Sequence, residues 1–122
     1  MVGDVILLID DDQDFAKLVG ITLKHRNYQV VLAQDGEDGL KKAELIHPNL
    51  ILLDIKMPQM DGFTFVRQLK KNDKIKDIPV IVLTGFEPMR DMFEFEGISD
   101  YFVKTSDKEL LFQTIEKHLR PK

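Results

Sequence analysis

Asn49-Leu50-Ile51-Leu52-Leu53-Asp54-Ile55-Lys56-Met57-Pro58 is the stretch from which the fold is read. Leu50 to Leu53 form an unbroken apolar run between Pro48 and Pro58, which reads as a strand buried on both faces of a sheet. A carboxylate ends the run. Such a strand delivers its last side chain to the rim of the sheet, where ligands bind, so Asp54 is expected to serve chemistry rather than packing.

Working outward, apolar runs of strand length alternate five times with segments of helical period. Val5 to Ile9 precedes a helix with Phe15, Leu18, Val19, Thr22 and Leu23 as its expected sheet-facing stripe. Asn27-Tyr28 marks a turn. Gln29 to Ala33 is the second strand, followed by Asp35-Gly36 and a helix carrying Leu40, Ala43 and Leu45 or Ile46, stopped by Pro48. After Asn49 to Pro58, the turn Gln59-Met60-Asp61-Gly62 leads to a helix with Phe63, Val66 and Leu69 on one face. Pro79 opens the fourth strand, Val80 to Leu83, ending in Thr84-Gly85; an irregular or helical stretch runs on to Gly97. The fifth strand, Asp100 to Val103, ends in Lys104. Ser106-Asp107-Lys108-Glu109 fits a capping box opening a helix with Leu110, Leu111, Thr114, Ile115 and Leu119. This alternation implies a parallel sheet with helices on both faces, because parallel neighbours need right-handed crossovers.

The chain has 122 residues and no internal repeat, linker or low-complexity segment, so it reads as one domain spanning residues 1–122. No apolar run approaches the ~20 residues of a membrane span. Met1-Val2-Gly3-Asp4 carries no basic n-region, so the expected compartment is the cytoplasm. With no cysteine, disulfides, thiolate catalysis and zinc–thiolate sites are excluded. His25, His47 and His118 are scattered, not at ligand spacing, and read as surface or helix-end residues. A net charge of -4 argues against a nucleic-acid-binding surface on this chain.

The ends of the strong strands carry Asp10-Asp11-Asp12, Asp54, Thr84 and Lys104. Carboxylates crowded at one rim would repel unless a divalent cation joined them. Oxygen ligands alone suit magnesium or manganese. With an ammonium and a hydroxyl beside it, such a site can receive a phosphoryl group, Asp54 acting as nucleophile and forming an acyl phosphate that water later cleaves. Singly, each residue has a plainer role. Asp12 or Asp14 reads as the cap of the first helix, Asp61 as a turn residue, Thr84 as a structural hydroxyl and Lys104 as a solvated cation. Their arrangement at successive strand ends is what points to chemistry.

That arrangement resembles the receiver domain of two-component response regulators over essentially the whole chain. Ile9-Asp10-Asp11 resembles the family's acidic pair, Leu53-Asp54 with Met57-Pro58 and Asp61-Gly62 its phosphoacceptor segment, Leu83-Thr84-Gly85 its hydroxyl position, and Tyr101-Phe102-Val103-Lys104 its aromatic and lysine positions. The resemblance implies a flavodoxin-like doubly wound sheet of strand order 2-1-3-4-5. It implies that Asp11, Asp54 and the Lys56 carbonyl hold magnesium (or manganese), with Asp10 acting partly through water. It further implies that Lys104 pairs with the phosphoryl group and that Thr84 and Tyr101 move as a switch. The donor would be the phosphohistidine of a sensor histidine kinase or phosphotransfer protein, or a small phosphodonor. The signal would leave through the face made by the stretch before the fifth strand, that strand and the last helix, towards an output domain, a downstream protein or a second copy. In this reading the chain is a phosphoacceptor that catalyses its own phosphotransfer and autodephosphorylation, not a turnover enzyme.

The sequence departs from the family at Thr105, where a proline after the lysine is usual. A cis bond before threonine costs about 3–4 kcal/mol, so a trans Lys104–Thr105 bond and a rearranged loop are expected. Lys56 and Phe86 are expected to slow the attack of water on the acyl phosphate. Phe86, Met89, Met92, Phe93 and Phe95 are more apolar side chains than one short helix buries, which suggests an exposed patch or core packing. Two other classes remain. One is a haloacid-dehalogenase-type phosphatase with Asp10 as nucleophile, disfavoured because no later paired acids complete its metal site and Asp54 is left without a role. The other is a receiver-like interaction module that works without phosphorylation.

Overall fold

The computed structural model describes residues 3–55, 62–85, 98–104 and 107–119. Five strands, β1 (Val5–Ile9), β2 (Gln29–Ala33), β3 (Leu50–Asp54), β4 (Val80–Thr84) and β5 (Asp100–Val103), form one parallel sheet of order β2-β1-β3-β4-β5. The helices described are α1 (Gln13–His25), α2 (Gly36–Ile46), α3 (Gly62–Lys70) and α4 (Lys108–Leu119). The five strand spans expected from the apolar runs are found, with Thr84 included in β4.

β3 is central, and all of its residues are buried. Its alternate side chains feed two cores. Leu50 and Leu52 join Ile6, Leu8, Ile81 and Leu83 beneath α1 and α4, whereas Ile51 and Leu53 join Leu7, Ile9, Val80 and Val82 beneath α2 and α3. A fully buried Leu or Ile side chain stabilises by roughly 1.5–3 kcal/mol relative to exposure, and β3 supplies four such side chains, as β1 does. Burial on both faces is why the run lacks polar alternation.

The helices bury most of their expected stripes, Val19 and Leu23, Ala43, Val66 and Leu69, Leu111 and Ile115, but not all of them. In α1 the buried residues are Ala16, Val19, Gly20 and Leu23, while Leu18 is 56% exposed and Phe15 packs at the edge of the core. In α2 they are Gly36, Gly39 and Ala43, with Leu45 80% exposed and Ile46 exposed. The helices lie close to the sheet on small residues: a Cβ built on Gly39 would stand 2.5 Å from Ile9 Cδ1 and 3.3 Å from the Phe65 ring. α3 buries Phe65 with Val66 and Leu69, and Phe63 is only partly buried. α4 buries Leu111, Phe112 and Ile115 and leaves Leu110 exposed.

The caps are local. Asp12 rather than Asp14 caps α1, its Oδ1 accepting from the Phe15 N–H at 3.1 Å. Asp35 does the same for α2 from the Asp38 N–H at 2.8 Å. The expected capping box of the last helix rests on Ser106. Asp107 Oδ1 accepts from the Glu109 N–H at 2.9 Å, and Glu109 Oε2 lies 2.8 Å from Arg26 Nη2 at the end of α1. Ser106 lies outside the described residues. Among the described residues no helix is long and apolar enough to cross a membrane.

Candidate functional site

Parallel register brings the acidic ends together. Ile9 pairs with Leu53, so the next residues, Asp10 and Asp54, leave β1 and β3 at the same level. Both are buried, and Asp11 beside them is exposed. Asp10, Asp11 and Asp54 each offer a carboxylate oxygen within 4.8 Å of the others. Asp10 is held from below: its Oδ1 accepts from the Asp12 N–H at 2.9 Å, and its own N–H donates to the Ala33 carbonyl at 3.2 Å. The residue that caps α1 thus also orients an acid of the cluster.

Lys104 supplies the opposing charge. Thr84 pairs with Val103 and Leu83 with both Asp54 and Phe102, so Lys104 stands two residues beyond the level of Asp54, a climb of about 6.6 Å at 3.3 Å per residue. Its side chain spans that height, bringing Nζ to 2.8 Å from Asp10 Oδ2 and 3.7 Å from Asp54 Oδ2. The contact with Asp10 has the distance of an ion pair without the alignment of a hydrogen bond, and among the described residues the buried Asp10 Oδ2 has no hydrogen-bond donor. The distance establishes a Coulombic contact, and the directional requirement of the oxygen stays unmet. The nearer acid to Lys104 is Asp10, not Asp54.

Among the described residues, a buried carboxylate oxygen without a donor and two further carboxylates within 4.8 Å make an all-oxygen set that fits a hard divalent cation such as magnesium. Lys56, whose carbonyl is the fourth expected ligand, lies outside the described residues. So do Asp61, Phe86, the Lys104–Thr105 bond and the apolar residues between 86 and 97.

Thr84 is buried at the end of β4, and its carbonyl accepts from the Lys104 N–H at 2.7 Å. Strand alternation divides the predicted residues into two sets. Asp10, Asp54 and Lys104 share parity with Leu8, Leu52 and Phe102, on the α1 and α4 side. Thr84 and Tyr101 share parity with Val82, on the opposite side, where Tyr101 packs partly buried against the second core. Asp54, the one of these acids within a strand, therefore stands on the α1 and α4 side of the rim with Lys104 beside it, and the proposed switch pair on the other.

Sequence reading passed over Phe15 and Lys108. The Lys104 ammonium lies 4.6 Å from the Phe15 ring centroid, and Lys108 Nζ donates to the Lys104 carbonyl at 2.8 Å. The available signal was a lysine in the first turn of a helix, where an acid is favoured. His118 Nε2 lies 3.1 Å from Asp100 Oδ2 at the end of α4, in keeping with a helix-end histidine.

Residues 6–116 match the family model of the response regulator receiver domain. The chain is 38% identical over 117 residues to the DNA-binding dual master transcriptional regulator RpaA of Synechocystis sp., covering 94% of this chain and 48% of that protein. It is 37% identical over 113 residues to protein PilH of Pseudomonas aeruginosa, covering 90% and 93%. The chain spans about half the length of the first curated relatives it matches. Among solved structures it superposes on the chemotaxis response regulator CheY4 of Vibrio cholerae with a TM-score of 0.90 at 28% identity, covering 96% of this chain and 99% of that one. It superposes on the response regulator TrrA of Thermotoga maritima, solved in complex with Mg(2+)-BeF, with a TM-score of 0.85 at 29% identity, covering 95% and 99%.

Proposed function

The chain belongs to the response regulator receiver domain family, and from that premise we propose that Asp54 is the phosphoacceptor of a magnesium-dependent signalling switch and that residues 1–122 form one receiver unit. The observation that carries this reading is the Lys104 ammonium reaching over two residues of height to lie between Asp10 and Asp54, within a cluster of three carboxylates.

An oxygen of Asp54 attacks the phosphorus of the donor in line, forming the acyl phosphate O–P bond. The bond from phosphorus to the donor breaks, P–N for a phosphohistidine of a sensor kinase or phosphotransfer protein, and the electron pair leaves with the donor nitrogen. Asp10, Asp11, Asp54 and the Lys56 carbonyl would hold magnesium or manganese, which would supply charge neutralisation for the phosphoryl oxygens. Lys104, already within reach of Asp54, transfers its attraction from Asp10 to a phosphoryl oxygen as charge develops there. The Thr84 hydroxyl donates to another phosphoryl oxygen from the far side of the rim, and Tyr101 follows it inwards. Their shared strand parity supports this coupling. The change alters the face to which β5 and α4 contribute, through which an output domain, a downstream protein or a second copy reads the state. Water attacking the acyl phosphate resets the switch, so the chain catalyses its own phosphorylation and dephosphorylation without being a turnover enzyme. The compartment proposed is the cytoplasm, where a kinase phosphohistidine is presented.

The test is incubation with acetyl phosphate or phosphoramidate and magnesium, followed by intact-mass and peptide mass spectrometry. One phosphoryl group on Asp54, lost in Asp54→Asn, is the expected result. A label on Asp10 would instead favour phosphatase-type chemistry, and no label from any donor would favour an interaction module.

A further inference from the structure

Lys108 takes no part in the mechanism above, and its place in the fold runs against electrostatic preference. It is the first residue of α4, where the N-terminal end of the helix dipole favours an acid over an ammonium. A surface lysine there would be expected to extend into water and keep its rotamer freedom. This one folds back, partly buried, and its Nζ donates to the Lys104 carbonyl at 2.8 Å. The same ammonium lies 5.5 Å from the Phe15 ring centroid and 5.9 Å from that of Phe102. Phe15 also carries the Lys104 ammonium at 4.6 Å. Two like charges beside one ring repel, and the arrangement holds because the carbonyl dipole and the ring quadrupoles oppose that repulsion.

The consequence falls on Lys104. Its N–H is committed to the Thr84 carbonyl at 2.7 Å, and its carbonyl to Lys108. Both main-chain polar groups of this residue are thus tied, one to β4 and one to α4, while its side chain crosses Phe15 of α1 on the way to Asp10 and Asp54. We infer that Lys108 is a positioning residue for Lys104: its hydrogen bond to the Lys104 carbonyl sets the direction in which that side chain leaves the end of β5 and keeps its ammonium over the acidic cluster. The functional part of this inference rests on the reading of Asp54 as phosphoacceptor, whereas the anchoring does not.

The experiment uses the full chain with Lys108→Met, which removes the donor, and Lys108→Arg, which keeps one. Amide hydrogen exchange followed by NMR, without metal or phosphodonor, reads the anchoring through the Lys104 N–H bond to the Thr84 carbonyl, which opens more often once the carbonyl of the same residue is released. The Lys104 N–H is expected to exchange about tenfold faster in Lys108→Met and close to the wild-type rate in Lys108→Arg, with the Leu52 amide unchanged as a control on the fold. Labelling of Asp54 by acetyl phosphate and magnesium is expected to slow roughly tenfold in Lys108→Met and by less than about twofold in Lys108→Arg, because a misplaced cation loses its hold on the developing charge. Wild-type exchange at Lys104 in Lys108→Met overturns the inference, and so does faster exchange with undiminished labelling. If the wild-type chain takes no label on Asp54, the phosphoacceptor reading fails, and exchange at Lys104 then decides the anchoring by itself.

Discussion

Replacing Lys104 with methionine keeps the length of the side chain and removes the charge that lies 2.8 Å from Asp10 Oδ2 and 3.7 Å from Asp54 Oδ2. At an effective dielectric of ~20 these distances correspond to gross attractions of about 6 and about 4.5 kcal/mol. Desolvation offsets most of this. The Asp10 side chain is 0% exposed and that of Lys104 only 19%, so both ions have given up most of their water to make the pair. Breaking a buried pair by removing one partner costs about 3–5 kcal/mol, because the remaining charge stays buried without compensation. The residual exposure of Lys104 puts the expected loss near the lower end, about 3 kcal/mol, or roughly 10–15 °C in Tm for a domain of this size. The assay is thermal and urea unfolding of wild type and Lys104→Met by far-UV circular dichroism in chelator-treated buffer, repeated with magnesium. Magnesium is expected to recover much of the loss, since a ligand of the folded state at about one hundred times its Kd stabilises by about 2.7 kcal/mol. Its affinity for the variant should exceed that for wild type, because no ammonium competes for the same oxygens. A variant within about 0.5 kcal/mol of wild type without metal would refute the reasoning, since uncompensated acids should not be that well tolerated.

Three further outcomes follow from the same geometry. Asp12→Ala removes the acceptor for the Phe15 N–H and should lower stability by about 1 kcal/mol in urea titrations; an unchanged midpoint would count against the cap. Gly39→Ala places a methyl group 2.5 Å from Ile9 Cδ1 and should destabilise by about 1–3 kcal/mol, so a variant of wild-type stability would mean that α2 sits further from the sheet. Lys56→Asn combined with Phe86→Ala should shorten the half-life of the acyl phosphate, followed by loss of label after donor removal; no shortening would sink the proposed control of water access.

Much of the fold was legible because strands buried on both faces cannot alternate. Leu50 to Leu53 and Val80 to Leu83 announce themselves as apolar runs, and their terminal Asp54 and Thr84 stand out against them. The helical faces were less legible. Leu18, Leu110 and the alternatives Leu45 or Ile46 read as core residues but are exposed, whereas Gly20 and Gly39, which did not, are buried alongside the expected Ala43. A helix packed closely on a sheet selects residues by the space left to them, and hydrophobic periodicity records preference for burial but not that space. Phe65 and Phe112 were missed for the same reason.

By itself the sequence determined five parallel strands, their buried character and the set of residues at their ends, since these follow from local runs and breaks. It did not determine that Lys104 would lie nearer Asp10 than Asp54, that Tyr101 would pack against the second core, or that Lys108 would bind the Lys104 carbonyl. Those relations depend on which strands are neighbours and in what register. Residues distant in sequence meet only once the sheet has paired, and tertiary structure alone sets the distances between their charges.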